Sequence, residues 1–214
     1  AGELNYSSDI DLIVFFDSAA PTLKDSVEPQ PFFVRIAQGL SRILQQRNAD
    51  GYVFRVDLRL RPDPSSTPLA ISTASALDYY EREGRTWERA AMIKALPCAG
   101  DIKAGNALMA DIAPFVWRKY LDFAALADVH DMTRQMHAYM GHNEIAVEGH
   151  NIKQGRGGIR EIEFFAQTQQ LIAGGRHPHL RVRPTLQALD ILATDNWITF
   201  QARDELSEAY LFLR

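Results

Sequence analysis

Ser7-Ser8-Asp9-Ile10-Asp11-Leu12-Ile13-Val14-Phe15-Phe16 holds two carboxylates at the mouth of an apolar run. Ile10 to Phe16 has the length and the β-forming composition of a buried strand. On a strand, residues two apart face the same way, roughly 7 Å apart at the backbone. Asp9 and Asp11 therefore repel, and burying them unpaired is costly. A divalent cation resolves that conflict; magnesium takes carboxylate oxygens and keeps waters that a phosphate can replace. Gly2, Ser7 and Ser8 just upstream bring backbone and hydroxyl groups that suit phosphate oxygens. On spacing alone the stretch reads equally well as a surface turn at a strand start.

Downstream, 21–31 is a polar, proline-bearing loop. From Phe32 to Arg47, apolar Phe33, Ile36, Ala37, Leu40, Ile43 and Leu44 recur at amphipathic helical spacing. After a turn at 48–51, Tyr52 to Leu60 alternates: Arg55, Asp57 and Arg59 share one face, with Arg61 continuing it, and Phe54, Val56, Leu58 and Leu60 the other. If this strand pairs beside the first, Asp57 completes a three-carboxylate cluster. Such clusters hold two metal ions about 4 Å apart for in-line phosphoryl displacement. Arg59 and Arg61 would then meet phosphate charge bidentately. Taken alone, Asp57 reads as part of an exposed salt-bridge ladder.

From about residue 73 the chain reads as helical: 73–83, 86–95, 100–117, 123–140, 159–173, 184–194 and 200–213, with a glycine- and histidine-bearing loop at 141–158. The expected class is α+β, a small mixed β-sheet domain over 1–99 and an α-helical bundle over 100–214. In Gly155-Arg156-Gly157-Gly158-Ile159-Arg160-Glu161-Ile162-Glu163 a glycine loop opens a helix, leaving backbone N–H groups to face an anion. Arg156 and Arg160 add positive charge. Glu161 and Glu163 read by position as first-turn dipole partners. Trp87, Arg89 and Lys94 form a second basic and aromatic cluster, of a kind that solvated helix faces commonly carry. The histidines show no metal-ligand spacing, and His177-Pro178-His179 reads as loop. There is no Walker-type loop, no G-x-G-x-x-G and no G-x-S-x-G.

The 214 residues carry 23 basic and 27 acidic side chains, a net charge of -4 that gives no support to a nucleic-acid partner. The single cysteine, Cys98, cannot form an intrachain disulfide or a zinc site. With no signal peptide and no apolar run of membrane-spanning length, a cytoplasmic location is expected and a membrane partner is not. Both ends read as cut from a longer polypeptide.

The run from Gly2 to Ile13 resembles the active-site signature of the DNA polymerase beta-like nucleotidyltransferase superfamily. Together with Val56-Asp57-Leu58-Arg59-Leu60-Arg61-Pro62, Gly84-Arg85-Thr86-Trp87-Glu88-Arg89 and Gly155 to Phe165, it is similar to the glutamine synthetase adenylyltransferase/adenylyl-removase family along essentially the whole chain. The resemblance implies a bifunctional enzyme. One half transfers AMP from ATP to a tyrosine of glutamine synthetase; the other removes it with orthophosphate, releasing ADP. Asn151-Ile152-Lys153 and the 158–165 segment look like the N-terminal removase half, since the transferase half usually carries Val-Asp where Arg160-Glu161 stands. It further implies Asp9, Asp11 and Asp57 as catalytic metal ligands, magnesium or alternatively manganese. Gly2, Ser7, Ser8, Arg59, Arg61, Arg89, Arg156, Arg160, Glu161 and Glu163 become the phosphate and nucleotide contacts, the two glutamates facing the same cleft. Glutamine synthetase and the PII signalling protein are the implied partners. Ala1 stands at a usually glycine position where the family's loop runs further upstream, so the fragment alone is expected to be inactive. The alternatives are the transferase half and a non-catalytic nucleotide- or PII-binding module.

Overall fold

The computed structural model describes residues 2–5, 8–20, 23–24, 27–119, 151–153 and 155–214. The helix expected over 123–140, the loop residues 141–150, Ser7, and four of the six histidines, His130, His137, His142 and His150, lie outside the described residues. Contacts divide the chain into two compact units, Leu4–Gly84 and a second made of Ala1–Glu3 with Arg85–Arg214.

The first unit contains β1 (Ile10–Asp11), β2 (Val14–Phe16), α1 (Pro29–Gln45), β3 (Val56–Asp57), β4 (Ala70–Ser72) and α2 (Thr73–Arg82). The single strand expected over 10–16 changes partner midway. β1 pairs in parallel with β3, and β2 pairs in parallel with β4. Both sheets are thus parallel and two-stranded, not one mixed sheet. The reason is the connection: each partner follows a long crossover that includes α1, as a parallel neighbour requires. The strand expected over 52–60 contracts to Val56–Asp57. Before it, the Val53 and Phe54 amides donate to Leu44 O at the end of α1 (3.1 and 2.9 Å). After it, the Arg59 amide turns onto the Asp57 carboxylate (2.8 Å). Neither segment is left to extend the ladder. β4 was not anticipated; three residues carry no readable period.

α1 begins earlier than expected, at Pro29, whose fixed φ and missing N–H suit a first helical turn. Phe33, Val34 and Ala37 pack on Phe16, Val14, Leu69 and Ala70, with the Phe16 and Phe33 rings stacked at 4.7 Å. Ile36, Leu40 and Ile43, which the periodicity placed on the buried face, are exposed. Two-residue and three-residue strands cover only one stripe of a 17-residue helix.

The second unit holds α3 (Thr86–Ile93), α4 (Ile102–Val116), α5 (Ile159–Ala173), a 3-10 turn at Pro178–Leu180, α6 (Thr185–Thr194) and α7 (Phe200–Leu213). α5, α6 and α7 share a core of Ile162, Ala166, Ala188, Leu189 and Tyr210. α3, which a boundary at 99/100 groups with the strands, packs on α4 and α5. Caps fix the starts: Asp101 and Thr199 accept from the Ala104 and Ala202 amides (2.9 and 3.1 Å). Among the described residues, no helix is long and apolar enough to cross a membrane.

Candidate functional site

The β1–β3 pairing sets Asp11 beside Asp57, and Asp9 shares a recess with Asp57, but the three carboxylates do not all lie within 4.8 Å of one another. Register sets Asp11 opposite Asp57, held by the Ile10 amide on Arg55 O (2.9 Å) and the Leu12 amide on Asp57 O (2.8 Å). Residues opposite one another share a face, and Asp9, two before Asp11, shares it too. Asp9 and Asp57 line an open recess of about 470 Å³ with Gln45, Arg55, Val56, Leu58 and Arg59.

Arginine meets two of these carboxylates. Arg55 Nε donates to Asp9 Oδ1, and that hydrogen bond raises the guanidinium's already high pKa. Arg59 forks onto Asp57, with Nε 3.0 and 2.9 Å from the two oxygens and its own amide at 2.8 Å. The Arg59 side-chain hydrogen bond holds the Asp57 carboxyl below its ordinary range, against partial burial, which pushes it up. The Asp57 side chain is only 18% exposed. An anionic cluster ringed by exposed guanidinium groups suits a hard cation on one side and a phosphate on the other. Arg55 was not singled out as a site residue; its place on the charged face of 53–61 was the available signal.

Other expected contacts are engaged elsewhere. Arg61 clasps its own loop, donating to Leu58 O (2.7 Å), Pro64 O (2.8 Å) and Thr67 O (3.2 and 3.3 Å). Ser8 closes a local turn with Asn5, accepting from its amide and donating to its side chain, both at 3.0 Å. Arg89 is 1% exposed and binds the last carbonyls of α4. The 155–161 loop does not offer its amides to an anion. Gly155, Gly158, Ile159, Arg160 and Glu161 N–H groups donate to Asn151, Gly155, Ile152, Lys153 and Gly158 carbonyls, and Gly157 N–H donates to Glu161 Oε2 (2.6 Å). Gly157 takes φ +74°, and a Cβ on Gly158 would meet Ile152 O at 2.7 Å, so the glycines serve this self-closure. Glu163 Oε1 accepts from Tyr210 Oη (2.9 Å). Arg156 and Arg160 are exposed.

Gly2, at φ +73°, leads into a residue the sequence gave no reason to single out. Glu3 joins the helical unit, accepting from Lys94 Nζ (2.5 Å) and from the Thr185 amide at the start of α6 (2.6 Å); Lys94 also donates to Thr185 Oγ1 (2.7 Å). Burial raises the Glu3 pKa, but the Lys94 and Thr185 bonds outweigh it, and the net shift is downward. A depressed folded pKa contributes stability that is present above the ordinary glutamate range and lost as pH falls through the folded value. Glu3→Gln is therefore expected to cost about 1–3 kcal/mol at neutral pH. Urea unfolding across a pH series should show that difference shrinking in acid; an equal loss at every pH would contradict it.

The family model for glutamate-ammonia ligase adenylyltransferase matches residues 1–110. A model for the GlnD PII-uridylyltransferase matches residues 127–214. Bifunctional glutamine synthetase adenylyltransferase/adenylyl-removing enzymes are similar over the whole chain: 81% identical in Rhodopseudomonas palustris (strain TIE-1), 78% in Bradyrhizobium diazoefficiens and 65% in Xanthobacter autotrophicus. The chain spans 22% of the length of each of these relatives.

Proposed function

Because the chain belongs to the glutamate-ammonia ligase adenylyltransferase family, we propose that its aspartate cluster removes AMP from an adenylylated tyrosine of glutamine synthetase by phosphorolysis. The observation that carries this reading is the register of Asp11 against Asp57, with Asp9 lining the same recess as Asp57. Three carboxylates supply the hard oxygen donors that magnesium or manganese takes. When bound by Asp9, Asp11 and Asp57, the ion supplies positive charge to the oxygens around the reacting phosphorus.

The chain's own residues supply the rest. Arg55 and Arg59 put positive charge at the rim of the recess, where orthophosphate enters. A phosphate oxygen bonds to the α-phosphorus, and the bond from that phosphorus to the tyrosine oxygen breaks in line. Tyrosinate takes the electron pair and later a solvent proton, and ADP leaves. A phenol with a pKa near 10 leaves without a strong general acid. Arg61 acts indirectly, by holding the loop that follows β3.

Removal rather than transfer is favoured by Arg160-Glu161 in the 158–165 segment. The match of 127–214 to a PII-uridylyltransferase model supports the PII protein as a regulatory partner. Two assays on the intact parent protein, with the other half's aspartates replaced by asparagine, separate the directions. Adenylylated glutamine synthetase plus phosphate should yield ADP, and unmodified glutamine synthetase plus ATP should gain no AMP. AMP incorporation without ADP release would assign this segment to transfer.

A further inference from the structure

We propose that His177, His179 and Asp195 form a zinc site in the helical unit that ties the C-terminal end of α5 to the C-terminal end of α6, independent of the chemistry of the aspartates. One ligand atom from each residue lies within 4.8 Å of the other two. His179 Nε2 already sits 2.5 Å from Asp195 Oδ2. Two imidazoles and a carboxylate, with a position left for water, are a set that zinc takes at about 2.0–2.2 Å from each donor.

The scaffold beneath is rigid. Ala173, Leu180 and Leu192 are buried together, with Ile191 and Ile198 packed against them. Leu180 directly follows the two histidines, and Asp195 caps α6 three residues after Leu192. Pro178 restricts the segment between the histidines, and the His177 and Leu180 amides are bonded to Ala173 O and His177 O (both 3.0 Å). Trp197 packs edge-on against the His177 ring, 5.8 Å between centroids, which fixes its plane. Asn196, at φ +62°, turns the chain so that Asp195 and Trp197 both reach the histidines.

Electrostatics calls for a cation here. Asp195 is the C-cap of α6, so a negative side chain adds to the negative end of the helix dipole. The end of α5 is met by Arg181, whose guanidinium donates to Gly174 O (2.8 Å) and Gly175 O (3.3 Å). A divalent ion offsets the charge at Asp195. His179 is exposed, which leaves a path for the ion to enter.

The test uses the intact parent protein, tag-free and stripped of metal with a chelator, titrated with zinc and with cobalt(II). Cobalt in a four- or five-coordinate nitrogen and oxygen site gives visible d–d bands that six-coordinate carboxylate sites give only weakly. The expected result is one tight equivalent with those bands. His179→Gln and Asp195→Asn should each weaken it by at least about tenfold, and Asp9→Asn should leave it unchanged. Because His179 is on the surface, its replacement does not threaten folding, and near-ultraviolet circular dichroism checks this. Absence of the bands in the wild-type protein, or the same affinity in His179→Gln, would overturn the site.

Discussion

Replacing Asp9 with asparagine in the intact parent enzyme is expected to slow phosphate-dependent ADP release by on the order of 10³-fold, with no change in the unfolding midpoint. Asp9 is exposed at the start of β1, and its ion pair with Arg55 is half in water, where such pairs contribute little to folding. Asparagine keeps the shape but loses the charge. The cluster then has two ionised carboxylates to hold a divalent cation, and Arg55 loses the partner that sets its direction. Single-turnover release of ADP from adenylylated glutamine synthetase, together with magnesium titration, reads both losses. Turnover within tenfold of wild type would remove Asp9 from the reaction, and the phosphorolysis assignment with it.

Arg89→Met is expected to do the reverse: to cost about 3 kcal/mol or more of stability in the helical unit. Arg89 Nε lies 3.1 Å from Phe115 O and 3.3 Å from Val116 O, and Nη2 lies 3.1 Å from Val116 O. These carbonyls belong to the last turn of α4, which has no intrahelical partners for them. The guanidinium satisfies them and sits at the negative end of the helix dipole. Methionine fills the space of the stem and leaves the carbonyls buried without a donor. Arg89→Lys should recover part of the loss, since one ammonium cannot reproduce the fork. Denaturant unfolding measures both. Wild-type stability combined with weakened phosphate binding would instead return Arg89 to the phosphate role its charge suggested.

The helices were legible because their signals are local. α2, α4, α5, α6 and α7 begin and end within two residues of the apolar period, since caps such as Ser72, Asp101 and Thr199 sit in the sequence beside what they cap. The sheets were only partly legible. Ile10 to Phe16 is one apolar run, and nothing in it says that its two ends take different partners. Tyr52 to Leu60 alternates correctly, yet the end of α1 captures the amides on one side and Asp57 turns the chain on the other. For Asp9 and Asp11, strand spacing suggested a shared face, but the place of Asp57 opposite Asp11 depended on which strand β1 would take as partner. For the arginines spacing did not suffice. Arg59, Arg61 and Arg89 are alike as letters, and only their neighbours separate a carboxylate fork, a loop clasp and a helix cap. Glu3 and Asp195 were missed for the same reason: the groups that give them meaning lie far along the chain.

β1 and β3 meet in two residues each, and residues 12–55 separate them. Closing so long a loop for so few backbone bonds is entropically unfavourable until α1 has packed on Phe16 and Ala70. The backbone bonds within each helix are near in sequence and form early; this pairing is of the slow, non-local kind. The β1–β3 pairing is therefore expected to complete late in folding and to open early under stress. A chain stalled before that step would be helical and compact yet without its paired aspartates, a state that hydrogen exchange at the Ile10 and Leu12 amides would detect.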